Sequence, residues 1–116
     1  MSLNVGTREI EVDEEGYLRN PADWDEAVAL AIAAEEGIEL TPVHWMLISW
    51  FRTFYEKNER HPTMHEWMET LGGFHGRRYQ EAKKYRDFLY QLFPKGPVQT
   101  LAKLAGLPKP VTDVEE

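Results

Sequence analysis

Residues 41–55 read TPVHWMLISWFRTFY, and this stretch predicts the central helix of a helical domain. Thr41 followed by Pro42 is a typical helix start, because threonine caps free backbone N–H groups and proline lacks the N–H that a first turn leaves unpaired. The run after it is apolar on nearly all sides, interrupted mainly by His44, Ser49, Arg52 and Thr53. A helix of this kind belongs at the centre of a domain.

Start and stop signals predict four further helices around this one. Capping residues and first-turn prolines mark helix starts, while glycine and later prolines mark helix ends. Thr63 and Glu66 have the spacing of a capping box, in which each side chain satisfies the other's free backbone donor. The four segments are Asn20–Gly37, Thr63–Leu71, the apolar stripe from Tyr85 to Phe93, and Pro97–Ala105.

The two ends of the chain have a different character. In residues 1–19, Arg8–Val12 alternates polar and apolar, Asp13–Gly16 supplies turn residues, and Tyr17-Leu18 can begin a returning strand. Prolines from position 108 onward force an extended arm. We therefore predict an α+β, mostly helical fold: a single domain (1–105) with a β-hairpin (1–19) packed on about five helices (20–105), and an extended, flexible C-terminal arm (106–116).

Composition excludes several kinds of chemistry. The chain has 116 residues, of which 42% are hydrophobic, and it contains no cysteine. One domain of this length can build its own core. The missing thiols exclude disulfides, cysteine-ligated metal sites, thiol nucleophiles and persulfide carriers. No apolar run approaches the ~20 residues needed to span a bilayer, and the N-terminus lacks the features of a signal peptide. We expect a cytoplasmic protein.

Charge is distributed unevenly along the chain, whose net charge is −7. Residues 1–50 hold eleven acidic residues against two basic ones, whereas residues 77–109 hold eight basic residues against two acidic ones. Such a basic region is either a set of solvated helix faces or a surface for an anionic or acidic partner. The residues that form this basic patch are Arg77, Arg78, Lys83, Lys84 and Arg86.

The candidate catalytic and ligand-binding patterns are weak. His61 and His65 have the i, i+4 spacing of a helical zinc pair, but Pro62 and Thr63 place His61 before the helix begins, so we predict neither a metal site nor a cofactor. His44 falls in the first turn of the central helix and is interpreted as a hydrogen-bonded core residue. No nucleophile elbow, P-loop or dinucleotide fingerprint occurs. The residues alone therefore predict no autonomous enzyme.

A helix-turn-helix is a further possibility. Helices at 42–57 and 63–71 have suitable lengths. The second of them begins Thr63-Met64-His65-Glu66-Trp67-Met68-Glu69, which contains two acidic residues and no arginine or lysine. Such a helix is a poor reader of phosphates and base edges. The basic patch could still serve a nucleic acid in another way.

Five segments in this order resemble the DsrC/TusE family of sulfur-relay proteins. The most specific is the pair Leu-Phe-Pro-Lys-Gly-Pro and Ala-Gly-Leu-Pro-Lys-Pro, and the resemblance covers nearly the whole chain except about residues 72–84. It implies a small helical domain with an N-terminal hairpin and a flexible C-terminal arm. The segments are Glu15–Leu18, Leu40–Trp45, Phe51–Tyr55, Leu89–Pro97 and Ala105–Pro110.

The resemblance also implies a function, and this chain departs from it. DsrC is a sulfur-carrying partner of dissimilatory sulfite reductase, and TusE accepts persulfide sulfur in the relay that makes 2-thiouridine in tRNA. Both use a cysteine three residues after the Pro-Lys-Pro, where this chain has Asp113, and DsrC has a second cysteine at the position of Ala102. A carboxylate cannot carry a persulfide. Family members without either cysteine are regarded as regulatory.

We therefore expect this chain not to be an enzyme. Our hypothesis is a non-catalytic binding or regulatory protein that docks on a protein partner of the sulfur-relay or sulfite-reductase type, without a cofactor and without a membrane. The alternatives are a nucleic-acid-binding regulator that uses the basic patch, or an auxiliary subunit of the relay for tRNA 2-thiouridine. The expected partner-binding residues are Lys95, Lys103, Pro108, Lys109, Pro110 and Asp113.

Overall fold

The structure is a computed structural model that describes residues 1–71 and 79–110. In these ranges an N-terminal β-hairpin is followed by five α-helices, which confirms the predicted α+β, mostly helical fold. No helix of the described ranges is long and apolar enough to cross a membrane. The elements are β1 (Ser2–Val5), β2 (Arg8–Glu11), a 3₁₀ helix (Pro21–Asp23), α1 (Glu26–Glu36), α2 (Pro42–Asn58), α3 (Met64–Leu71), α4 (Tyr79–Leu92) and α5 (Pro97–Leu104).

The hairpin forms earlier in the chain than the sequence predicts. Strand β2 pairs antiparallel with β1, with Leu3 opposite Ile10, and its Glu11 carbonyl also accepts from the Arg19 N–H at 3.2 Å. The two strands meet at a tight turn in which Gly6 has a φ of +61°, a conformation that glycine adopts without strain. The segment expected to form the returning strand makes an isolated bridge between Leu18 and Val12. In β1, buried Leu3 and Val5 alternate with exposed neighbours, and this pattern indicates a half-buried strand.

The first predicted helix is split in two. Asn20 caps the short 3₁₀ helix by accepting a hydrogen bond from the Ala22 N–H (3.0 Å). Trp24 is then extended, and Asp25 caps α1 by accepting from the Val28 N–H at 2.9 Å. Two capping residues five positions apart therefore start two separate helices. Gly37 ends α1 in the left-handed conformation, as predicted.

Helix α5 is buried more completely than α2. Val98, Leu101 and Leu104 of α5 have no exposed surface, and the helix packs against α1, α2 and α4. Helix α2 buries one face, on which Leu47, Ile48 and Phe51 lie, while Val43 and Met46 on another face are 42% and 51% exposed. The apolar run of α2 thus correctly predicts a helix. The prediction that this helix is central is wrong, because the helix at the centre of the domain is α5.

The capping box of α3 is confirmed. The Thr63 N–H donates to Glu66 Oε1 and the Glu66 N–H donates to Thr63 Oγ1, both at 3.1 Å. Arg60 adds two hydrogen bonds to the Glu66 carboxylate at 2.7 and 2.8 Å. The hydrogen bond from Arg60 is the main reason why the pKa of Glu66 falls to about 2.

Helix α2 begins with a capping box of an uncommon type. His44 takes the place usually held by glutamate or glutamine, and its Nδ1 accepts a hydrogen bond from the Thr41 N–H at 3.1 Å. The ring is buried and its edge contacts Phe93, with ring centroids 5.4 Å apart. Burial lowers the pKa of His44. Thr41 Oγ1 also lies 2.7 Å from Nδ1. The bond from the Thr41 N–H needs a deprotonated Nδ1, and burial favours the neutral ring as well.

This arrangement predicts a pH-dependent stability. Because the folded-state pKa of His44 lies below its ordinary value of 6.5, the contribution is complete above about pH 6.5 and is lost as the pH falls below it. The variant His44→Gln keeps a side-chain acceptor for the cap but does not titrate. Urea unfolding at pH 7.5 and 5.5 should show a larger loss of unfolding free energy for the wild type than for His44→Gln. Equal losses would contradict this assignment, because His61 and His65 are present in both proteins.

The end of α5 requires a glycine. Gly106 has a φ of +71°, and a Cβ atom built there would lie 2.5 Å from Cδ1 of Trp24. Trp24 cannot easily move away, because its Nε1 donates to the Leu104 carbonyl at 2.8 Å.

We predict that Gly106→Ala destabilises the protein by more than ~2 kcal/mol, since it combines a left-handed backbone with a side-chain clash. Gly6→Ala is the matched control: its φ is +61° but a Cβ there would meet nothing within 4 Å. It should cost about 1 kcal/mol. Urea unfolding of both variants measures the difference, and equal destabilisation would mean that Trp24 does not constrain position 106.

Candidate functional site at the base of the C-terminal arm

The chain leaves α5 through a cluster built on Arg52. The Arg52 guanidinium lies 3.9 Å above the ring of Trp24, and Nη1 donates to the Ala105 carbonyl at 2.7 Å. Trp24 Nε1 donates to the Leu104 carbonyl. Two side chains therefore satisfy two carbonyls at the end of α5 that have no partner within the helix. Burial lowers the pKa of Arg52 and Glu56 opposes that shift. Arginine nevertheless stays charged in proteins.

The first five residues of the arm, 106–110, lie against the domain. The Leu107 N–H donates to the Ala102 carbonyl at 2.9 Å, and the Leu107 side chain is buried. Pro108 and Lys109 are exposed, whereas Pro110 is buried. Lys109 Nζ lies 2.6 Å from Glu15 Oε1 at the other end of the sequence. The arm therefore exposes Pro108 and Lys109 on an ordered backbone.

An open groove with a volume of about 880 Å³ runs beside the arm. Its floor is one face of α2, and its walls come from the 3₁₀ segment and from the start of the arm. Aromatic and aliphatic surface alternates there with charged side chains. The residues that define this arm groove are Trp24, Trp45, Arg52, Glu56, Leu107 and Pro108.

Two of the predicted partner-binding lysines belong to a different cluster. Lys103 Nζ lies 2.6 Å from Glu36 Oε1, and Lys95 Nζ lies 3.5 Å from Glu36 Oε2. Burial acts to raise the pKa of Glu36, but the bond to Lys103 and the charges of both lysines lower it overall. The Lys103 side chain is mostly buried, while that of Lys95 is 79% exposed. These two lysines thus pair with Glu36 of α1, whereas Lys109 of the arm pairs with Glu15; Asp113 lies outside the described residues.

The basic patch is described in part. Lys83, Lys84 and Arg86 are exposed on α4, and the Arg86 guanidinium lies 5.8 Å from the ring centroid of Tyr90. Arg77 and Arg78 lie outside the described residues. Next to the lysines, Phe88 is 43% exposed and stacks on Tyr85.

His61 and His65 differ in burial. His65 is exposed and lies 3.0 Å from Glu69 on α3, whereas His61 is buried before that helix begins. Among the described residues, no group of three histidine, aspartate or glutamate side chains could hold a metal ion.

Sequence reasoning missed Arg52, Trp24 and Glu15 as residues of this site. A signal for Arg52 exists, because it is the one charged residue in the apolar run from Val43 to Tyr55. A charge in such a run needs a specific partner. Glu15 carries no comparable signal, since its partner Lys109 is 94 positions away.

The chain is similar to known proteins over nearly its whole length. Residues 4–114 match the family model described as DsrC-like protein. The chain is 43% identical over 104 residues to the sulfurtransferase TusE of Photorhabdus laumondii, covering 90% of each protein. It also resembles the solution structure of Allochromatium vinosum DsrC, with a TM-score of 0.78, 36% identity, and coverage of 96% of this chain and 97% of that one.

A second solved structure is the oxidised gamma subunit of dissimilatory sulfite reductase, DsrC, from Archaeoglobus fulgidus. The TM-score is 0.74 at 29% identity, and the match covers 96% of this chain and 97% of that one.

The expectation that this chain is not an enzyme is wrong by this comparison. It was based on the missing cysteines, but curated relatives of similar length are named sulfurtransferases. An absent residue type does not outweigh that finding. The match along nearly the whole sequence and the shared fold instead confirm the resemblance seen in the sequence: the chain belongs to the DsrC/TusE family of sulfur-relay proteins.

Proposed function

We propose that this protein is a binding and regulatory component of sulfur metabolism that docks on a protein partner through its arm. The observation that carries the proposal is the fixed base of the arm, where Arg52 and Trp24 hold the last carbonyls of α5. Pro108 and Lys109 then project from a backbone that is already ordered, so binding need not order it. The arm groove offers a second contact surface beside them.

The partner belongs, in this proposal, to the sulfur-relay or sulfite-reductase machinery. The named relatives support both classes: one is a sulfurtransferase, and another is a subunit of dissimilatory sulfite reductase. The 116 residues contain no thiol, so a persulfide in any transfer step would be carried by a cysteine of the partner. Asp113 and the lysines Lys95 and Lys103 are further proposed contacts. The proposal places the protein in the cytoplasm.

Removal of the arm tests the proposal. A chain that ends at residue 105 should bind sulfur-relay or sulfite-reductase candidates at least tenfold more weakly than the full chain, measured by titration calorimetry. Because this truncation also removes Gly106 and Leu107 from the domain, the point variant Lys109→Glu is needed. It removes the pair with Glu15 and should weaken binding by about five- to tenfold.

Lys57→Glu is the matched control, since it makes the same charge change at an exposed position near the end of α2 that does not line the arm groove. It should bind like the wild type. Equal affinities for Lys109→Glu, the truncated chain and the wild type would remove the arm from the proposed function.

A second candidate function is nucleic-acid binding through α4, which includes an auxiliary role in the tRNA 2-thiouridine relay. The observation that favours it is the combination of exposed Lys83 and Lys84 with the exposed, stacked ring of Phe88. Basic side chains contact phosphates, and exposed aromatic rings stack on unpaired bases. The overall charge of −7 works against this function.

A gel-shift titration with tRNA tests whether α4 binds nucleic acid. If α4 binds RNA, the affinity should fall by tenfold or more between 50 and 200 mM salt, because released counterions drive the binding. The double variant Lys83→Glu, Lys84→Glu should then abolish retardation, while Lys57→Glu should reduce it only slightly. No retardation of tRNA by the wild type at low salt would eliminate this candidate.

A further inference from the structure

Strand β1 has an edge to which a further strand could be added. The Val12 N–H donates to the Met1 carbonyl at 2.9 Å, so these two residues form a bonded pair that continues the antiparallel ladder. Bonded and non-bonded pairs alternate along such a ladder. Ser2 and Asn4 belong to the non-bonded pairs, and their backbone N–H and C=O groups therefore point away from β2.

The rest of the described chain leaves these four backbone groups open. No hydrogen bond joins them to another part of residues 1–71 or 79–110, and both Ser2 and Asn4 are exposed. Leu3 and Val5, by contrast, are buried in the same core as α1. Residues 2–5 read Ser-Leu-Asn-Val, without the charged side chains and prolines that commonly protect an edge strand. The edge can thus form up to four backbone hydrogen bonds with an added strand.

The exposed face of the hairpin carries an acidic depression beside the start of β1. Its volume is about 410 Å³, and Ser2 lines it together with Glu9 and Glu11 of β2. Ser2 Oγ donates to Glu9 Oε1 at 2.8 Å. Neither carboxylate forms an ion pair within the part of the chain that the structure describes. A basic side chain above Ser2 would meet two uncompensated negative charges.

A second acidic depression, of about 270 Å³, lies between β1 and the end of α1. Lys95 and Lys103 line it, but both are paired with Glu36. Glu14 and Glu35 are exposed and form no ion pair among the described residues. A long basic side chain suits such a place, because its stem can lie on apolar surface while its head reaches carboxylates. The lining also includes Leu3, Ile32 and Asp13.

We propose that the open edge of β1 binds an extended basic segment of a partner protein, which adds a third strand to the hairpin. Neighbouring side chains of a strand point to opposite faces, so two consecutive lysine or arginine residues would place one side chain in each depression. In this mode of recognition the backbone hydrogen bonds provide affinity and the side-chain pockets provide specificity. The site contains no residue of the arm, so this inference goes beyond the proposed function and does not depend on it.

A second copy of this chain fits the edge less well than a basic segment. The register that pairs all four open groups places Ser2 of one copy opposite Asn4 of the other. Strands are about 4.8 Å apart, so Glu9 of one copy would lie ~14 Å from Glu11 of the other on the same face. These like charges oppose self-association. Four residues a side are also few beside the ~20–30 of a stable interface.

Amide hydrogen exchange in the free protein tests whether the edge is open. The Asn4 N–H should exchange at least tenfold faster than the N–H groups of Leu3 and Val5, because only the latter two are bonded to β2. Equal protection of the three amides would show that the edge is already occupied and would overturn the proposal.

A peptide titration followed by amide NMR spectra tests the occupant. The probe is acetyl-Thr-Val-Lys-Lys-Val-Thr-amide, whose symmetric sequence presents one lysine to each face in either strand direction. It should shift the Asn4 amide resonance and slow exchange of that amide. The same peptide with Glu-Glu in place of Lys-Lys should bind at least tenfold more weakly. Equal binding of the two peptides would contradict a basic occupant.

A third peptide separates strand addition from simple charge attraction. N-methylation of both lysine amides keeps the charges, but one of two consecutive residues always faces β1, so at least one hydrogen bond is lost. We expect a loss of affinity of tenfold or more. Unchanged binding of the methylated peptide would exclude an added strand. In the protein, Asn4→Pro removes only an N–H of the open edge and should weaken binding at least fivefold.

Two charge variants locate the peptide. Glu35→Gln should weaken binding two- to fivefold, because this carboxylate lines the second depression. Glu39→Gln is the matched control at an exposed position that lines neither depression, and it should bind like the wild type. Equal affinity of both variants would contradict the assignment of the depression. An Asn4 amide shift that depends on protein concentration without peptide would assign the edge to a second copy and overturn the proposal.

Discussion

The stacked and hydrogen-bonded guanidinium of Arg52 is the interaction on which the rest of the site depends. A partly buried cation is costly unless its N–H groups are satisfied and its flat faces are covered. Here the Ala105 carbonyl accepts one N–H and the Trp24 ring covers one face. Trp24 in turn donates to Leu104 and occupies the space that a side chain at position 106 would need. One residue of α2 thereby fixes the end of α5 and the direction in which the arm leaves.

Three contacts hold the arm against the domain once this exit is fixed. The Ala102 carbonyl accepts from the Leu107 N–H, the Leu107 side chain is buried, and Glu15 pairs with Lys109. Each of these contacts is weak alone, and the exposed ion pair in particular contributes at most about 1 kcal/mol. Together these contacts keep residues 106–110 ordered against the domain, so that Pro108 and Lys109 are exposed on a defined backbone.

Local rules account for the parts of the fold that the sequence predicts correctly. The starts of α2 and α3 depend on residues three positions apart, such as Thr63 and Glu66, so adjacent sequence contains all the information. The partner of the strand was harder to predict: Arg8–Val12 has the alternation of a strand with two candidate partners, and in the structure it makes its full ladder with β1 and an isolated bridge from Val12 to Leu18. The pairing of Arg52 with Ala105 spans 53 positions, so sequence periodicity alone could identify the charge but not its partner.

The chain contains no cysteine, and its arm is held mainly through backbone atoms. The acceptors at the base of the arm are the carbonyls of Ala102, Leu104 and Ala105. Backbone atoms are present whatever the side chain, so the side chain at position 102, which is fully buried, can change among small residues without altering these bonds. Gly106 and Leu107 are needed by the fold itself. The geometry of the arm therefore depends on the backbone at positions 102, 104 and 105 and not on the chemistry of the side chain at position 102.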